Sequence, residues 1–76
     1  MPTYHTAEGG EIRPGILVKS VTYGLSYELR YSARKVVYIE KLNKYGLLDK
    51  QGFVELFDNM PLERTEFYYA GRCSYD

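Results

Sequence analysis

The side chains that most often carry out chemistry in proteins are sparse in this sequence. One histidine, His5, and one cysteine, Cys73, lie near opposite ends of a chain of 76 residues. Nucleophilic catalysis needs a nucleophile beside a base that a third group orients, and nothing in the spacing supplies such a set. A zinc site needs about four nitrogen or sulfur ligands, so these two residues are too few.

Sequence patterns of nucleotide binding and acid–base catalysis are also missing. Neither G-x-x-x-x-G-K-[ST] nor G-x-G-x-x-G occurs, so no glycine-rich loop is available to surround a phosphate. Glu63 and Glu66 are close in sequence, but a strand would place their carboxylates on opposite faces. We therefore expect a protein that is not an enzyme and that binds no cofactor and no metal.

Tyrosine is the residue type that stands out, with nine copies and no tryptophan. Its ring has a large apolar face and a polar tip, which suits both half-buried sheet faces and protein contact surfaces. Tyrosine also favours strands in general, so ordinary sheet packing is the competing interpretation. Tyrosine and arginine are enriched where interfaces concentrate binding energy. The candidate partner-binding residues are Tyr27, Tyr31, Arg34, Lys35, Tyr38, Tyr45, Tyr68 and Tyr69.

Charge is balanced over the chain but divided along it. Ten basic and ten acidic residues give a formal net charge of zero, which is unlike the basic excess of most duplex-DNA binders. Residues 30–44 nevertheless carry a basic excess, and residues 49–66 carry an acidic one. Either the two segments are neighbours that neutralise each other, or the division serves a function.

The elements that would position these residues begin after an N-terminal segment. Residues 1–15 hold two of the three prolines and three of the seven glycines, which predicts an extended arm or loop with little part in a core. Residues 16–76 are then expected to form a single globular domain. The composition, 45% hydrophobic and 26% charged, is typical of a folded chain.

The clearest secondary-structure signal lies in residues 25–32. Two leucines and two tyrosines alternate there with polar residues, which predicts a strand with one packed face and one exposed face. Tyr27 and Tyr31 share the leucine face, so they fit a core as well as an interface. An apolar run begins at Ile16, and Gly24 separates the two segments. The pattern predicts an antiparallel hairpin of residues 16–23 and 25–32 that reverses within two residues of Gly24.

Two later segments fit both helix and strand. The run Val-Val-Tyr-Ile at 36–39 favours a strand within residues 33–45, entered through a polar turn at residues 32–35, although Ser32 and Gly46 could cap a helix there. From Phe53 to Met60, apolar residues recur at helical spacing before Pro61. That spacing favours a short helix over residues 50–59, and a hairpin turn at 49–52 is the alternative.

The expected fold is α+β and β-rich, a small antiparallel sheet with one short helix packed on it. If both ambiguous segments are strands, the alternative is an all-β, five-stranded barrel that resembles the SH3-like class. Residues 64–70 have strand composition in either case. Apolar runs are too short to cross a bilayer, and no signal-peptide pattern is visible, so we expect a cytoplasmic protein without membrane contact.

The function most consistent with this sequence is a small non-catalytic protein-binding module. Such an adaptor or inhibitor occupies a surface on a larger partner, and virus-encoded inhibitors of host enzymes or defence proteins are one class that works this way. The alternative is a small β-barrel that binds single-stranded nucleic acid, with tyrosines stacking on bases and Arg34, Lys35, Lys41 and Lys44 following the backbone. A third hypothesis is a nucleotide or metabolite binder whose site forms in a homo-oligomer.

Overall fold

One antiparallel sheet accounts for most of the backbone in the computed structural model, which describes residues 3–72. Its strands are β1 (Ile16–Tyr23), β2 (Glu28–Ile39), β3 (Lys44–Leu48), β4 (Val54–Leu56) and β5 (Thr65–Arg72). Two single-turn 3-10 helices, Phe57–Asn59 and Leu62–Arg64, lie between β4 and β5. The strand order across the sheet is β4-β3-β2-β1-β5.

This architecture confirms the expected small, β-rich antiparallel sheet. The sheet has five strands, the number expected for the all-β alternative, and the helices among residues 3–72 are single 3-10 turns. The edge strands β4 and β5 are not paired with each other in this part of the chain, so the sheet stays open and does not close into a barrel. None of the helices described is long and apolar enough to cross a membrane.

The predicted hairpin is confirmed. β1 pairs antiparallel with β2, with Val21 opposite Arg30 and Tyr23 opposite Glu28, so the chain reverses over residues 24–27. The Gly24 N–H donates to the Tyr27 carbonyl at 2.8 Å. A Cβ at position 24 would overlap the Tyr27 ring, so any other residue there would require that exposed ring to move.

The preference for strand over helix in residues 33–45 is also confirmed, but the turn expected at residues 32–35 does not form, because β2 runs unbroken from Glu28 to Ile39. β2 continues to Ile39, the chain turns over residues 40–43, and β3 begins at Lys44. Asn43 takes a left-handed conformation in this turn, with φ of 54°. Asparagine tolerates that region better than most residues.

The prediction of a helix over residues 50–59 is wrong. The Asp49 carboxylate accepts hydrogen bonds from the N–H groups of Gln51 and Phe53, both at 2.9 Å, and Gly52 has a φ of 94°. The backbone closes a hairpin turn, because the Asp49 N–H donates to the Phe53 carbonyl at 2.9 Å and Gly52 lies outside the helical region. The alternative hairpin turn at 49–52 therefore forms, and β4 follows it and pairs with β3.

The core lies on one face of the sheet, here called the inner face. Val18, Val36 and Leu47 are fully buried on β1, β2 and β3. The 3-10 turn after β4 adds Phe57, whose ring stacks on Phe67 of β5 with centroids 5.2 Å apart. The remaining buried members of this cluster are Ile12 and Met60, and the aromatic rings at its margin include Tyr4 and Tyr45.

The N-terminal segment takes a larger part in this core than expected. Ile12 is buried, and the Tyr4 ring lies 4.5 Å from the Phe57 ring. The segment folds back on itself, with the Ile12 N–H donating to the Tyr4 carbonyl at 2.9 Å. It also lies along β5, where the Ala7 N–H donates to the Phe67 carbonyl at 2.7 Å. The expectation that this segment adds little to the core is wrong, because Ile12 and Tyr4 pack on the core cluster at the inner face of the sheet.

Gly46 provides a test of the β3–β4 packing. A Cβ there would lie 2.7 Å from Val54 Cγ1 and 3.1 Å from the Glu55 carbonyl oxygen, so the two strands would have to separate. We expect Gly46→Ala to lower the free energy of unfolding by about 1–3 kcal/mol, measured by urea denaturation. The control is Gly10→Ala, whose Cβ would meet only Thr6 Oγ1 at 3.4 Å. Equal stability of the two variants would contradict the packing described.

Candidate protein-contact surface at the β1–β2 hairpin

The first half of β2 forms an open edge of the sheet. β1 pairs with β2 between residues 28 and 35, whereas β3 pairs only with residues 35–39. Over residues 28–34, the side of β2 that faces away from β1 has no partner strand within residues 3–72. Unpaired N–H and C=O groups along such an edge can accept an added strand.

The pairing pattern shows which backbone groups point toward this edge. Gly24 and Tyr27 share a backbone hydrogen bond across the turn. Because hydrogen-bonded and non-hydrogen-bonded pairs alternate along an antiparallel ladder, Leu29 and Tyr31 direct their N–H and C=O groups toward β1. Glu28 and Arg30 direct theirs toward the open edge.

A row of large apolar side chains lies beside the open edge. Leu25 is fully exposed, and Tyr27, Leu29 and Tyr31 are between 40% and 56% exposed. The expectation that these four residues form the packed face of their strand is therefore wrong. They lie on the part of the hairpin that β3 does not reach, so the core cluster does not cover them.

A shallow groove separates this row from the chain that follows β4. Its volume is about 160 Å³. The hairpin lines it on one side, and the segment between β4 and β5 lines it on the other, with Arg64 anchored to the Tyr23 carbonyl at 3.1 Å. Both apolar and polar side chains are therefore within reach of anything bound along the edge. The lining consists of Ser20, Thr22, Tyr27, Leu29, Tyr31, Arg34, Glu55, Met60, Pro61 and Arg64.

Arg34 is part of this groove but is buried rather than available on the surface. Its Nη1 donates to Glu55 Oε1 at 3.0 Å, and its Nη2 donates to Ser20 Oγ at 2.9 Å. The guanidinium carbon lies 4.4 Å from the centroid of the Tyr31 ring. Arg34 thus connects β1, β2 and β4, and its guanidinium group packs against one face of the Tyr31 ring. Only 8% of Arg34 is exposed, which leaves little of the residue for the direct partner contact expected from the sequence.

Three other predicted residues lie at the far end of β2. Tyr38 and Tyr45 are opposite each other on β2 and β3, with ring centroids 5.3 Å apart, and the Tyr38 hydroxyl donates to Asn43. Tyr45 also contacts the Tyr4 ring edge-on at 6.4 Å. Lys35 is half-buried at the point where β2 changes from pairing with β1 to pairing with β3. This tyrosine pair is mainly packing at the margin of the core.

The last two predicted residues lie on β5. The hydroxyls of Tyr68 and Tyr23 both donate to Glu66 Oε1, at 2.9 and 3.0 Å. These hydrogen bonds to a carboxylate favour the neutral phenols and raise the pKa of Tyr68 to about 12 and that of Tyr23 above its usual 10.0. Tyr69 is half-exposed, and its N–H is directed at the Glu8 carboxylate at 3.4 Å.

The structure therefore brings Tyr27, Tyr31 and Arg34 together and leaves the other five predicted residues elsewhere. Leu25 and Leu29 belong to the same exposed row and are not among the residues proposed from the sequence. Their signal is the alternation of residues 25–32, which shows that two faces differ but not which face is covered.

The divided charge is partly neutralised inside the fold. Arg34 is paired with Glu55 at 3.0 Å, and Lys44 is paired with Asp58 at 3.3 Å. Each pair joins the basic segment to the acidic one, as the first of the two interpretations requires. Two of the four cations proposed to follow a nucleic-acid backbone are thus already paired.

Of the two residues considered for nucleophilic catalysis, only His5 lies in the part of the chain that the structure describes. His5 is exposed in the N-terminal loop, where its backbone forms a bridge with Glu11. Cys73 lies outside the described residues. Within residues 3–72, no three His, Cys, Asp or Glu side chains are grouped closely enough to hold a metal ion.

The buried arginine can be tested through its partner. We expect Glu55→Ala to destabilise the protein by about 2 kcal/mol, because it leaves a buried guanidinium without its counter-charge. Lys44→Ala is the control, since it removes an exposed ion pair and should cost below about 1 kcal/mol. Adding Arg34→Met to Glu55→Ala should recover part of the loss. Denaturant unfolding measures all three, and equal effects of the two single changes would contradict this role for Arg34.

The tyrosine pair on Glu66 predicts a dependence of stability on pH. Folding raises the pKa of Tyr68 from 10.0 to about 12, so its hydrogen bond stabilises the fold below about pH 10. That contribution is lost as the pH rises from 10 toward 12. We expect Glu66→Gln to reduce the free energy of unfolding near pH 8 and to show a smaller further decline above pH 10.

Urea denaturation at several pH values, together with an ultraviolet titration of the tyrosines, measures this dependence. Glu63→Gln is the matched control, because it removes the same charge from an exposed residue of the second 3-10 turn. The same pH profile in wild type and Glu66→Gln would rule out the proposed coupling.

Comparison with known proteins identifies no relative of this chain. The chain matches no family model, no curated protein and no solved structure.

Proposed function

We propose that this protein is a small non-catalytic protein-binding module that contacts its partner through the tip of the β1–β2 hairpin. The observation that carries the proposal is the exposed row of Leu25, Tyr27, Leu29 and Tyr31 beside the unpaired edge of β2. Contiguous apolar side chains on the surface of a small domain are typical of contact sites. An adaptor or an inhibitor of a larger protein would use such a surface by occupying a site on its partner.

The edge and the row support the same mode of binding. A strand added at an open edge gains backbone hydrogen bonds, while alternate side chains contact the row next to it. The groove lined by Leu29, Met60 and Pro61 is in position to receive side chains from that strand. Tyr31 is held over the buried Arg34, so part of the surface is ordered before binding, which reduces the entropic cost of association.

Single-stranded nucleic-acid binding has weaker support. Of the cations proposed for it, Arg34 and Lys44 are engaged with carboxylates. A second surface, with Tyr23, Tyr68 and Lys19 around a depression of about 570 Å³, offers rings for stacking. The Glu66 carboxylate between the two tyrosine hydroxyls places negative charge next to those rings, where a phosphate chain would be repelled.

The proposal is tested with a pair of matched double variants. Leu25→Ser with Leu29→Ser removes two exposed leucines from the hairpin tip. Leu42→Ser with Phe53→Ser removes two exposed apolar residues from other turns and serves as the control. We expect affinity capture from the native host to lose its protein partner at least tenfold with the first pair and to retain it with the second, because contact energy is concentrated in few residues.

Two results would count against a protein-binding module. One is capture that is equally strong with both double variants, which would show that the hairpin tip is not the contact surface. The other is micromolar binding of single-stranded oligonucleotides at physiological salt, with a steep salt dependence that Lys35→Ser and Lys41→Ser reduce. Circular dichroism of each variant verifies that the fold is retained.

A further inference from the structure

We infer that the open edge of β2 pairs with the same edge of a second copy of this chain. The two copies are related by a two-fold axis at Leu29, so that Glu28 of each lies opposite Arg30 of the other. This inference rests on the proposed function in one respect, since it names a partner for the same surface. Three independent properties of residues 27–31 lead to this register.

The first property is the direction of the backbone groups. Glu28 and Arg30 point their N–H and C=O groups away from β1, toward the open edge. In an antiparallel pair centred on Leu29, residue 28 of one copy is opposite residue 30 of the other. Each of the two such pairs exchanges both N–H···O bonds, so the dimer gains four backbone hydrogen bonds without any change within the copy.

The second property is charge. Glu28 and Arg30 lie on the outer face of the sheet, opposite to the core, and form an ion pair at 3.0 Å within one copy. In the register centred on Leu29, each carboxylate also faces a guanidinium across the interface. Registers centred on Glu28 or on Arg30 place two identical charges directly opposite each other, which is destabilising.

The third property is the apolar row on the inner face. The same register places Leu29 opposite Leu29 and each Tyr27 opposite a Tyr31 of the other copy. Cross-strand aromatic and aliphatic pairs of this kind stabilise antiparallel sheets. Tyr27, Leu29 and Tyr31 are between 40% and 56% exposed in a single copy, and this pairing covers all three in the dimer.

The short paired segment sets the strength of this association. About five residues of each copy take part, so the interface falls below the area of a stable permanent dimer. We expect a dissociation constant on the order of 100 μM, within the range of weak and transient contacts. The interface is isologous, which is the commonest symmetry of small homo-oligomers.

The register is tested by exchanging charges. Arg30→Glu places four carboxylates at the interface, and Glu28→Arg places four guanidinium groups there, so each variant alone should self-associate at least tenfold more weakly than wild type. A mixture of these two variants restores every opposite-charge pair, and it should dimerise as well as wild type. Sedimentation equilibrium at concentrations up to about 1 mM measures all of these species.

Charge-matched controls separate the register from net charge. Lys41→Glu and Glu63→Arg change the net charge by the same amounts at exposed positions outside the hairpin. Both should dimerise like wild type. NMR shifts of residues 27–31 on dilution should report the interface in wild type and in both controls.

Three outcomes would overturn the inference: a wild-type protein that is monomeric at 1 mM, single charge variants that dimerise as well as wild type, or a mixture that stays monomeric. If the wild-type protein is monomeric but its partner capture is still lost when Leu25 and Leu29 are substituted, only the pairing with a second copy is contradicted. If the mixture dimerises but partner capture is unchanged by the substitutions at Leu25 and Leu29, only the proposed contact with a different protein is contradicted.

Discussion

β2 has 12 residues and β3 has five, and this difference in length determines the arrangement of the whole surface. Residues 28–35 of β2 pair with β1 and residues 35–39 pair with β3, so the strand changes neighbours at Lys35. Beyond this point, Val36 is fully buried against the core, whereas Leu29 and Tyr31 on the first half remain exposed. The side chains of one strand therefore change from surface to core along its length.

The junction between these two halves is occupied by a charged residue. Arg34 lies where an apolar side chain would simply extend the core, and it is held instead by Glu55 and Ser20 from two other strands. Burying a charge is costly unless it is paired and hydrogen-bonded, so this position depends on both partners. The arrangement marks the limit of the apolar core and keeps the Tyr31 ring in place above it.

Local patterns in the sequence predicted most of the strands but not which of their side chains are buried by the rest of the fold. Alternation in residues 25–32 shows that two faces differ, but which face is covered depends on where β3 ends. The helical spacing from Phe53 to Met60 was overridden by Asp49 and Gly52, whose turn chemistry lies just outside that window. Burial of Arg34 depends on Glu55 and Ser20, which are 21 and 14 residues away, so no local pattern contains it.

The two outermost strands of the sheet are either short or partly covered. β4 is only three residues long, and the N-terminal loop covers part of β5 through Ala7 and Glu8. Short or covered edges resist the addition of further strands, whereas a sheet open on both sides can grow without limit into a fibre. When a sheet has one long free edge, pairing with a second copy occupies that edge and leaves no other long edge for a third copy. Assembly through β2 would therefore terminate by itself, as a closed pair rather than a polymer.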